Sequence, residues 1–566
     1  MRIGQAISAS DVQAHAAVAL SDGAVKSSVK TLASLGASGK FQANIERGLH
    51  RHAKRTLGIR FDLYYAWIPV LGDNGLVVEV LHPFLLPHEA FSMVYDFDAN
   101  KFRAAMGVRL CDQYWRQMAA TGDDWYIAHP LRARIESARE LAIPLRIFGD
   151  DAPVGKNRGV RLFHTLSATS REPTINSRVP FTIIQEEKCV IGLTDAACMQ
   201  VLQWSLLAAA SGVHPPLDHL GKPWPKHSFR ARTAGKPIAG EYFWALAQVT
   251  GDMKFIHETF GFENFYGSSE EICHCCGATK SGELNYANVA EGAPCFEHRR
   301  CNDEYMASTP AVRCPLTAIP GFHIQMVMFE TVHVGPLGVC KWACAGVLVQ
   351  LARAGVWGMP DRGPWAGRLT IQLRQAYFNF KLFCKRRAIS TRQTCFPPLR
   401  LSLKTLHDWA ELKTKAMSCI HVVMWLAEAT SRIAVSSGAH DDQIRCCMMW
   451  GFAQFFYILM NEGMILDDGA LERLRKARNA MLKGYHKLST QCAYANEALY
   501  PIRPKFHALD HIERETQRTR LNPAYDWAFA DEDQMGIMTR IIAKCHGSTH
   551  TQRALERWLV GWLSVA

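Results

Sequence analysis

The order of apolar segments between residues 141 and 262 constrains the fold more than any other feature of the sequence. Three short segments rich in β-branched and aromatic residues follow one another, then a helical segment, then another apolar segment. They are IPLRIFG, GVRLFHTLSA, VPFTIIQEEKCVI, the helical TDAACMQVLQWSLLAAASG, and EYFWALAQVTG. This pattern predicts three strands, a helix and a fourth strand, with an amphipathic helix after it.

Aspartates follow the first and the last of these predicted strands. Asp150 and Asp151 come after the first strand, and Asp252 comes after the last. Open α/β sheets place their sites at the edge formed by the carboxyl ends of their strands. If the two strands are neighbours, Asp150 and Asp252 converge there, and converging carboxylates bind Mg²⁺ or Mn²⁺.

The stretch IFGDDAPVGKN allows two other interpretations. A phosphate-binding loop follows the pattern G-x-x-x-x-G-K-[ST], but here five residues separate Gly149 from Gly155, and Asn157 replaces the hydroxyl residue. Carboxylates inside such a loop would also repel phosphate, so the sequence argues against nucleotide binding. A turn after a strand is common for the letters GDD, and only the order of the elements favours metal binding over a turn.

Size and composition limit the class of protein to which the chain can belong. A chain of 566 residues exceeds a single core and predicts about three or four structural units. Its 48% hydrophobic and 20% charged residues are typical of a globular protein, and its net charge of +12 favours a polyanionic partner. The cysteines do not follow the spacing of a disulfide framework, and the amino terminus lacks a secretory signal. Both features predict a reduced, intracellular compartment. Apolar runs such as residues 446–460 are shorter than the ~20 residues of a membrane span, so we expect buried helices and no membrane partner.

Several segments between residues 143 and 558 carry a resemblance to a known family. In order, they are IPLRIFGDDAP, WALAQVTGDMKFIHETFGF leading to EICHCCGAT, FETVHVGPLGV, RPKFHALDHI and FADEDQMGIMTRIIAKCHGSTHTQRALERW. In these segments and their order, the chain resembles DDE-type DNA transposases of the ribonuclease H-like superfamily, particularly the eukaryotic groups with a large helical insertion. It is also similar to transposase-derived proteins of dinoflagellates.

The resemblance implies three catalytic carboxylates that hold two Mg²⁺ or Mn²⁺ ions. They are Asp150, Asp252 and Glu532. Asp531 and Asp533 flank Glu532 and remain alternatives, although the last acid of the family is usually Glu. Two ions about 3.5–4 Å apart would activate the attacking oxygen and stabilise the leaving oxygen during DNA strand cleavage and joining.

The resemblance also implies a fold class. We expect an α/β ribonuclease H-like core, with a mixed sheet flanked by helices, interrupted by a large and mostly α-helical insertion and preceded by an N-terminal α+β accessory region. The expected units are a loosely ordered lead (1–40), the accessory region (41–140), the first part of the catalytic core (141–262), the insertion (263–520) and the C-terminal helical part of the core (521–566).

One segment departs from the family's pattern. Where the family has D-x-x-H-x-x-D-L-G, this chain has Glu330 and Pro336 around His333, so we assign this motif no catalytic role. The departure keeps open a catalytically inactive, domesticated DNA- or chromatin-binding protein on the same scaffold. A ribonuclease H-like nuclease that acts on RNA or RNA–DNA hybrids is a further alternative. The fold alone does not separate these alternatives, because function resides in the site.

A Cys/His-rich patch at residues 273–301 predicts a structural zinc site. Cys273 and Cys276 have C-x-x-C spacing, and we expect His298 and Cys301 to supply the second pair, with Cys295 as an alternative ligand. Two short ligand pairs provide the four N or S atoms of a tetrahedral zinc site, which then has no open position for chemistry. Buried free thiols are the alternative interpretation.

Basic runs at residues 222–236 and 385–392 predict contacts with DNA. Phosphate contacts need Lys and Arg more than any motif, although a solvated surface shows the same composition. The predicted DNA-binding residues are Lys222, Lys226, Arg230, Arg232, Lys385, Arg386 and Arg387. Together with the resemblance, these runs imply a nuclear homo-oligomer that binds transposon ends and target DNA.

Overall fold

The structure is a computed structural model of the 566-residue chain. It describes residues 9–35, 62–154, 158–262, 269–307, 313–358, 364–405, 407–545 and 549–564, together with residue 267 and a few single positions between 45 and 55. Gly155 and Asn157, and parts of the predicted lead and of residues 41–61, lie outside the described residues.

A two-stranded hairpin and several short helices precede the main sheet. The hairpin pairs β1 (Tyr64–Leu71) with β2 (Val77–Phe84) in antiparallel orientation. Alternate residues of β1, including Ile68, point into the core that the main sheet also uses. The helices of this region are α1 (Ala9–Ser21), α2 (Ser27–Ala33), α3 (Pro87–Phe97), α4 (Ala99–Ala105), α5 (Cys111–Thr121), α6 (Asp124–Ile127) and α7 (Arg132–Ser137).

The main sheet has four strands of mixed direction, and it confirms the predicted order of elements. Its strands are β3 (Ala142–Pro153), β4 (Gly159–Ser167), β5 (Val179–Gln185) and β6 (Phe243–Gly251). They lie in the order β5-β4-β3-β6, with β3 antiparallel to β4 and parallel to β6. Because both faces of β3 and β6 are covered, these strands are apolar along almost their whole length.

Four helices connect or follow these strands. They are α8 (Thr174–Ser177), α9 (Thr194–Ser211), α10 (Phe229–Thr233) and α11 (Met253–Phe260). Since β5 and β6 both run parallel to β3, α9 must carry the chain from the carboxyl edge of the sheet back to its amino edge. β6 then runs toward the same edge as β3, and α11 starts there.

A second core, built mainly from helices, follows. Residues 269–307 and 313–330 form turns, short 3-10 helices and α12 (Asn302–Ala307). The helices after this segment pack around buried side chains such as Trp425, Phe456 and Tyr485. They are α13 (Thr331–Val334), α14 (Cys340–Arg353), α15 (Trp365–Arg386), α16 (Ala416–Ser437), α17 (His440–Asn461), α18 (Asp468–Tyr494) and α19 (Pro504–Thr519).

The chain then returns to the sheet. The last helices are α20 (Phe529–Ile542) and α21 (His550–Ser564), and Met538 and Trp558 belong to the same core as the sheet strands. By length and composition, one stretch in the described residues, Thr331–Arg353, is apolar enough to cross a membrane. Most of its apolar window, 83%, is buried inside the protein, and it packs in the helical core.

Candidate metal sites

Asp150, in β3, and Asp252, directly after β6, lie at the same edge of the sheet. The parallel pairing of β3 with β6 ends where Gly149 lies opposite Gly251, one residue before each aspartate. A side chain on either glycine would collide with the ring of Phe255, so both glycines let α11 approach the sheet closely. The Oδ1 atom of Asp252 accepts a 2.6 Å hydrogen bond from the Phe255 backbone N–H and caps α11. The predicted adjacency of the two strands is therefore confirmed.

The two neighbouring aspartates of β3 have different surroundings. Asp150 is buried beside the other acidic residues, and β3 continues past it to Pro153 while paired with β4. Asp151 instead forms ion pairs with Arg161 at 2.8 Å and with Lys254 at 2.9 Å. Successive side chains of a strand point to opposite faces, so only one of the two can contribute to the acidic group.

Among residues 531–533, the structure brings Glu532 to Asp150. The carboxylates of Asp150 and Glu532 and the imidazole of His333 each offer a ligand atom, and these atoms lie within 4.8 Å of one another. Asp533 is exposed. These three residues, Asp150, His333 and Glu532, are called the acidic group below.

Asp531 has a structural role instead. Its buried carboxylate contacts Arg146 at 2.9 Å, His164 at 2.7 Å and Arg178 at 3.3 Å. Burial opposes the ionisation of Asp531, but the charges of Arg146 and Arg178 outweigh it and hold the pKa of this carboxyl below its usual value. Asp531 thereby anchors the start of α20 to the sheet, and this anchor orients the next residue, Glu532.

His333 is the residue that the sequence pattern did not assign. Its Nε2 atom lies 2.9 Å from Glu532 Oε1 and 3.6 Å from Asp150 Oδ2. Its Nδ1 atom lies 2.8 Å from Glu330 Oε2, which orients the ring. With Nδ1–H donated to Glu330, Nε2 has a lone pair available for a metal ion.

Glu330 holds this arrangement together. It is only 1% exposed, and its carboxylate accepts hydrogen bonds from the backbone N–H groups of Val332, His333 and Ala528. Ala528 immediately precedes α20, so Glu330 ties the histidine-bearing turn to the helix that carries Glu532. The departure from the family's pattern at position 330 therefore has a function in positioning His333.

The charges of the acidic group explain its protonation. Burial, opposed by His333 and reinforced by Asp252 and Glu532, raises the pKa of Asp150 to about 8. Burial lowers the pKa of His333, but hydrogen bonds to Glu330 and Glu532 outweigh burial and raise it well above its usual value. Burial also works against the ionisation of Glu532, and its bond to His333 reverses the effect and lowers its pKa. In the absence of another cation, protons supply the positive charge that these convergent acids require.

The acidic group fits one divalent cation. Carboxylate oxygens suit Mg²⁺ and Mn²⁺, and an imidazole nitrogen shifts the preference away from Mg²⁺ toward transition metals such as Mn²⁺. Asp252 is not among the clustered ligand atoms, since one of its oxygens caps α11. The described residues thus supply three clustered ligands for one ion, and the second ion with Asp252 as its ligand stays a prediction.

A second group of ligands joins the C-x-x-C turn to α19. Cys273 Sγ lies 3.3 Å from His511 Nε2, and Cys276 Sγ lies 3.3 Å from His507 Nε2. Tetrahedral zinc with normal bond lengths separates S and N ligands by about 3.5 Å, so these four side chains match a zinc site. Burial opposes ionisation of the Cys273 thiol, yet neighbouring hydrogen bonds and the charge of His511 lower its pKa well below its usual value. These four residues are called the Cys/His group below.

The second ligand pair of this group differs from the predicted one. His298 is 61% exposed and contacts Glu304 at 2.9 Å, and Cys301 is exposed. Cys295 is buried nearby but lies outside the clustered ligand atoms. His507 and His511 are one helical turn apart on α19, a spacing that places both side chains on one face. The H-x-x-x-H spacing in RPKFHALDHI could have predicted a pair of metal ligands. Because it lies far along the chain from Cys273 and Cys276, the sequence did not show that the two pairs meet.

The predicted DNA-binding residues are distributed over several surfaces. Arg230 differs from the predicted DNA-binding role. Its guanidinium forms a bidentate pair with Glu89 and is largely buried, so it is not available to phosphate. Lys222, Lys226 and Arg232 are exposed, but they lie in the connection that enters β6 at its amino end, opposite the acidic group. The remaining predicted residues, Lys385, Arg386 and Arg387, are exposed at the end of α15.

Two lysines that the sequence did not single out lie beside the acidic group. Lys505 donates a 2.9 Å hydrogen bond from Nζ to the backbone oxygen of His333. Lys415 is exposed at the start of α16, and its charge contributes to the lowered pKa of Glu532. Lys415 thus places an exposed positive charge near Glu532, whereas Lys505 is largely buried and holds the turn that carries His333.

Comparison of the sequence with models of known protein families finds no match, and no curated protein matches it either.

Proposed function

We propose that this protein is a DDE transposase-like polynucleotidyl transferase that cleaves and joins DNA strands with divalent metal ions. The observation that carries the proposal is the convergence of Asp150, His333 and Glu532 from three distant segments, next to Asp252 on the neighbouring strand. Strand order β5-β4-β3-β6, with the last strand parallel to the first, supports a ribonuclease H-like core for this site.

Each residue of the site has a proposed role. Asp150, Glu532 and His333 would hold the first divalent ion, and Asp252 would contribute to the second. Such ions, when bound, would supply activation of a water or a DNA 3′-hydroxyl and stabilisation of the leaving oxygen. Glu330 would keep the imidazole of His333 oriented toward the ion, and the exposed Lys415 would attract the phosphate backbone to the border of the acidic group.

The Cys/His group has a structural role in this proposal. Four N and S ligands close the site, so zinc there would hold the C-x-x-C turn on α19 and leave no position for substrate. Because Lys505 and His507 lie on the same helix, this zinc site would also support the position of His333. In the cell we expect the protein to act in the nucleus as a homo-oligomer on transposon ends and target DNA.

The test uses supercoiled plasmid DNA as the probe. Purified protein with Mn²⁺ or Mg²⁺ should nick the plasmid and join a labelled oligonucleotide with a free 3′-hydroxyl to it. Glu532→Gln should lose both products, while the matched variant of the exposed neighbour, Asp533→Asn, should keep them. Nicking that persists in Glu532→Gln and in Asp150→Asn would overturn the proposal.

The same assay separates the alternatives. A parallel reaction on an RNA–DNA hybrid distinguishes a nuclease, which would cut the hybrid and join nothing. A non-catalytic DNA-binding protein would bind the plasmid with a steep salt dependence and give no product with either metal. The convergence of Asp150, His333 and Glu532 favours the catalytic proposal over this alternative, because phosphate contacts need Lys and Arg and gain nothing from convergent carboxylates.

A further inference from the structure

The outer face of α15 carries apolar side chains that nothing in the described part of the chain covers. Ile371 is 42% exposed, Phe378 is 55% exposed and Leu382 is 48% exposed. Spacings of seven and four residues place the three on one side of a helix. The opposite side, with Leu373 and Phe380, is fully buried in the helical core, so the helix is firmly held and presents this apolar stripe to solvent.

The same face is basic. The helix Trp365–Arg386 contains no acidic residue, and Arg374, Lys381 and Lys385 are exposed beside the apolar stripe. Within the described residues, these three cations form no ion pair. At the end of the helix, Glu428 is approached by Arg386, Arg387 and Arg432 together, so this single acid does not neutralise the surface.

Both properties restrict what the face can bind. A second copy of this chain would bring two basic helices together, and that arrangement is opposed by repulsion of like charges. DNA would satisfy the cations but leave the three apolar side chains unused, since phosphate contacts need only Lys and Arg. A helix with an apolar stripe flanked by Asp and Glu would bury the stripe and pair with the cations at once.

We propose that the outer face of α15 binds an acidic amphipathic helix of a partner protein. The stripe extends over about three helical turns, which is the length over which two helices pack side by side. The apolar residues supply the buried contact, and Arg374, Lys381 and Lys385 select an acidic partner and set its orientation. This proposal does not depend on the metal-dependent activity.

The test uses a fluorescent designed peptide of about 20 residues, with Leu at helical spacing and Glu on both sides of the Leu stripe. Its fluorescence anisotropy should report micromolar binding to the full chain. A scrambled peptide of the same composition should not bind. The double variant Phe378→Ser/Leu382→Ser and the charge reversal Lys381→Glu/Lys385→Glu should each weaken binding by about tenfold or more.

The matched control is Val435→Ser, which removes an exposed apolar side chain from α16. It should leave peptide binding unchanged, and all variants should keep the melting temperature of the parent because the changed side chains are exposed. Equal binding of the scrambled peptide, or unchanged binding by Phe378→Ser/Leu382→Ser, would overturn the proposal.

Two further measurements identify a different occupant and would also overturn it. If Lys381→Glu/Lys385→Glu weakens the binding of duplex DNA, and the parent protein does not bind the peptide, the face is a DNA-binding surface. If the parent sediments as a dimer and Phe378→Ser/Leu382→Ser sediments as a monomer, a second copy occupies the face.

Discussion

The Cys/His group and the acidic group are assembled in the same way but differ in chemistry. Each combines side chains from segments far apart in the sequence, and each uses histidine. The Cys/His group has four N and S ligands and is mostly buried, whereas Glu532 of the acidic group has a 40% exposed side chain. A closed set of soft ligands stabilises a fold, and an open set of oxygen-rich ligands leaves room for substrate.

Helix α19 joins the two groups. His507 and His511 on this helix face the C-x-x-C turn, while Lys505, at its start, donates to the backbone oxygen of His333. The helical path is interrupted at Gly338, close to this oxygen. A side chain on Gly338 would press on Lys505, so the glycine allows this close approach. Substitutions in the Cys/His group should therefore also disturb the geometry of the acidic group. Substitutions in the acidic group should leave the Cys/His group unchanged.

The largest effect is expected from Cys276→Ser. Structural zinc contributes about 10–16 kcal/mol in small domains, so its loss should lower the melting temperature by more than about 10 °C and also abolish plasmid nicking. Zinc content by mass spectrometry and thermal melting measure the effect. The matched control His298→Ala, at the predicted ligand, should keep one zinc per chain. Full zinc content in Cys276→Ser would contradict this assignment.

Adjacent residues of α20 should give opposite phenotypes. Glu532→Gln should lower nicking by about 10³-fold or more while leaving the denaturation midpoint unchanged, because its side chain reaches the open site. Asp531→Asn should instead destabilise the fold by about 3–5 kcal/mol, since it leaves Arg146 and Arg178 buried without their counter-charge. Chemical denaturation and the plasmid assay distinguish the two, and equal stability of both variants would contradict the roles given to them.

A smaller effect is expected from Glu330→Gln. The amide cannot accept all the hydrogen bonds that the carboxylate takes from His333 and from the start of α20, so the imidazole loses its orientation. We expect Mn²⁺ affinity to fall by about 10–100-fold, measured by titration calorimetry, with the zinc content unchanged. An affinity equal to that of the parent would show that His333 does not bind the ion.

The smallest effect is a pH dependence of stability. Without added Mg²⁺ or Mn²⁺, Asp150 in the folded chain keeps its proton up to about pH 8, whereas an unfolded aspartate loses it near pH 4. His333 also holds its proton longer when folded. The folded state thus binds more protons, and the melting temperature of the zinc-loaded protein should fall between pH 6.5 and 8. Added Mn²⁺ should reverse the trend, and Asp150→Asn should weaken it; a rising melting temperature without added metal would contradict it.

Local pattern was sufficient for the sheet and for two of the acids. β3 and β6 are mostly apolar because both of their faces are covered, so their sequences predict strands. Asp150, near the end of β3, and Asp252, directly after β6, mark the edge. The helical character of residues 521–566 and the choice of Glu532 both came from the resemblance. Arg230 misled the interpretation because a basic run does not reveal that one of its members has a buried carboxylate partner, Glu89.

The sequence by itself determined the order of strands and helices, the positions of Asp150 near the end of β3 and of Asp252 directly after β6, and one half of the Cys/His group. Only the tertiary structure decided that Glu532, and not Asp531, joins the acidic group, that His333 belongs to it, and that His507 and His511 face Cys273 and Cys276. The physical reason is the sequence separation of the residues involved. Hydrophobic periodicity is set by residues close together in the sequence, whereas a metal site depends on which distant segments the two cores bring together.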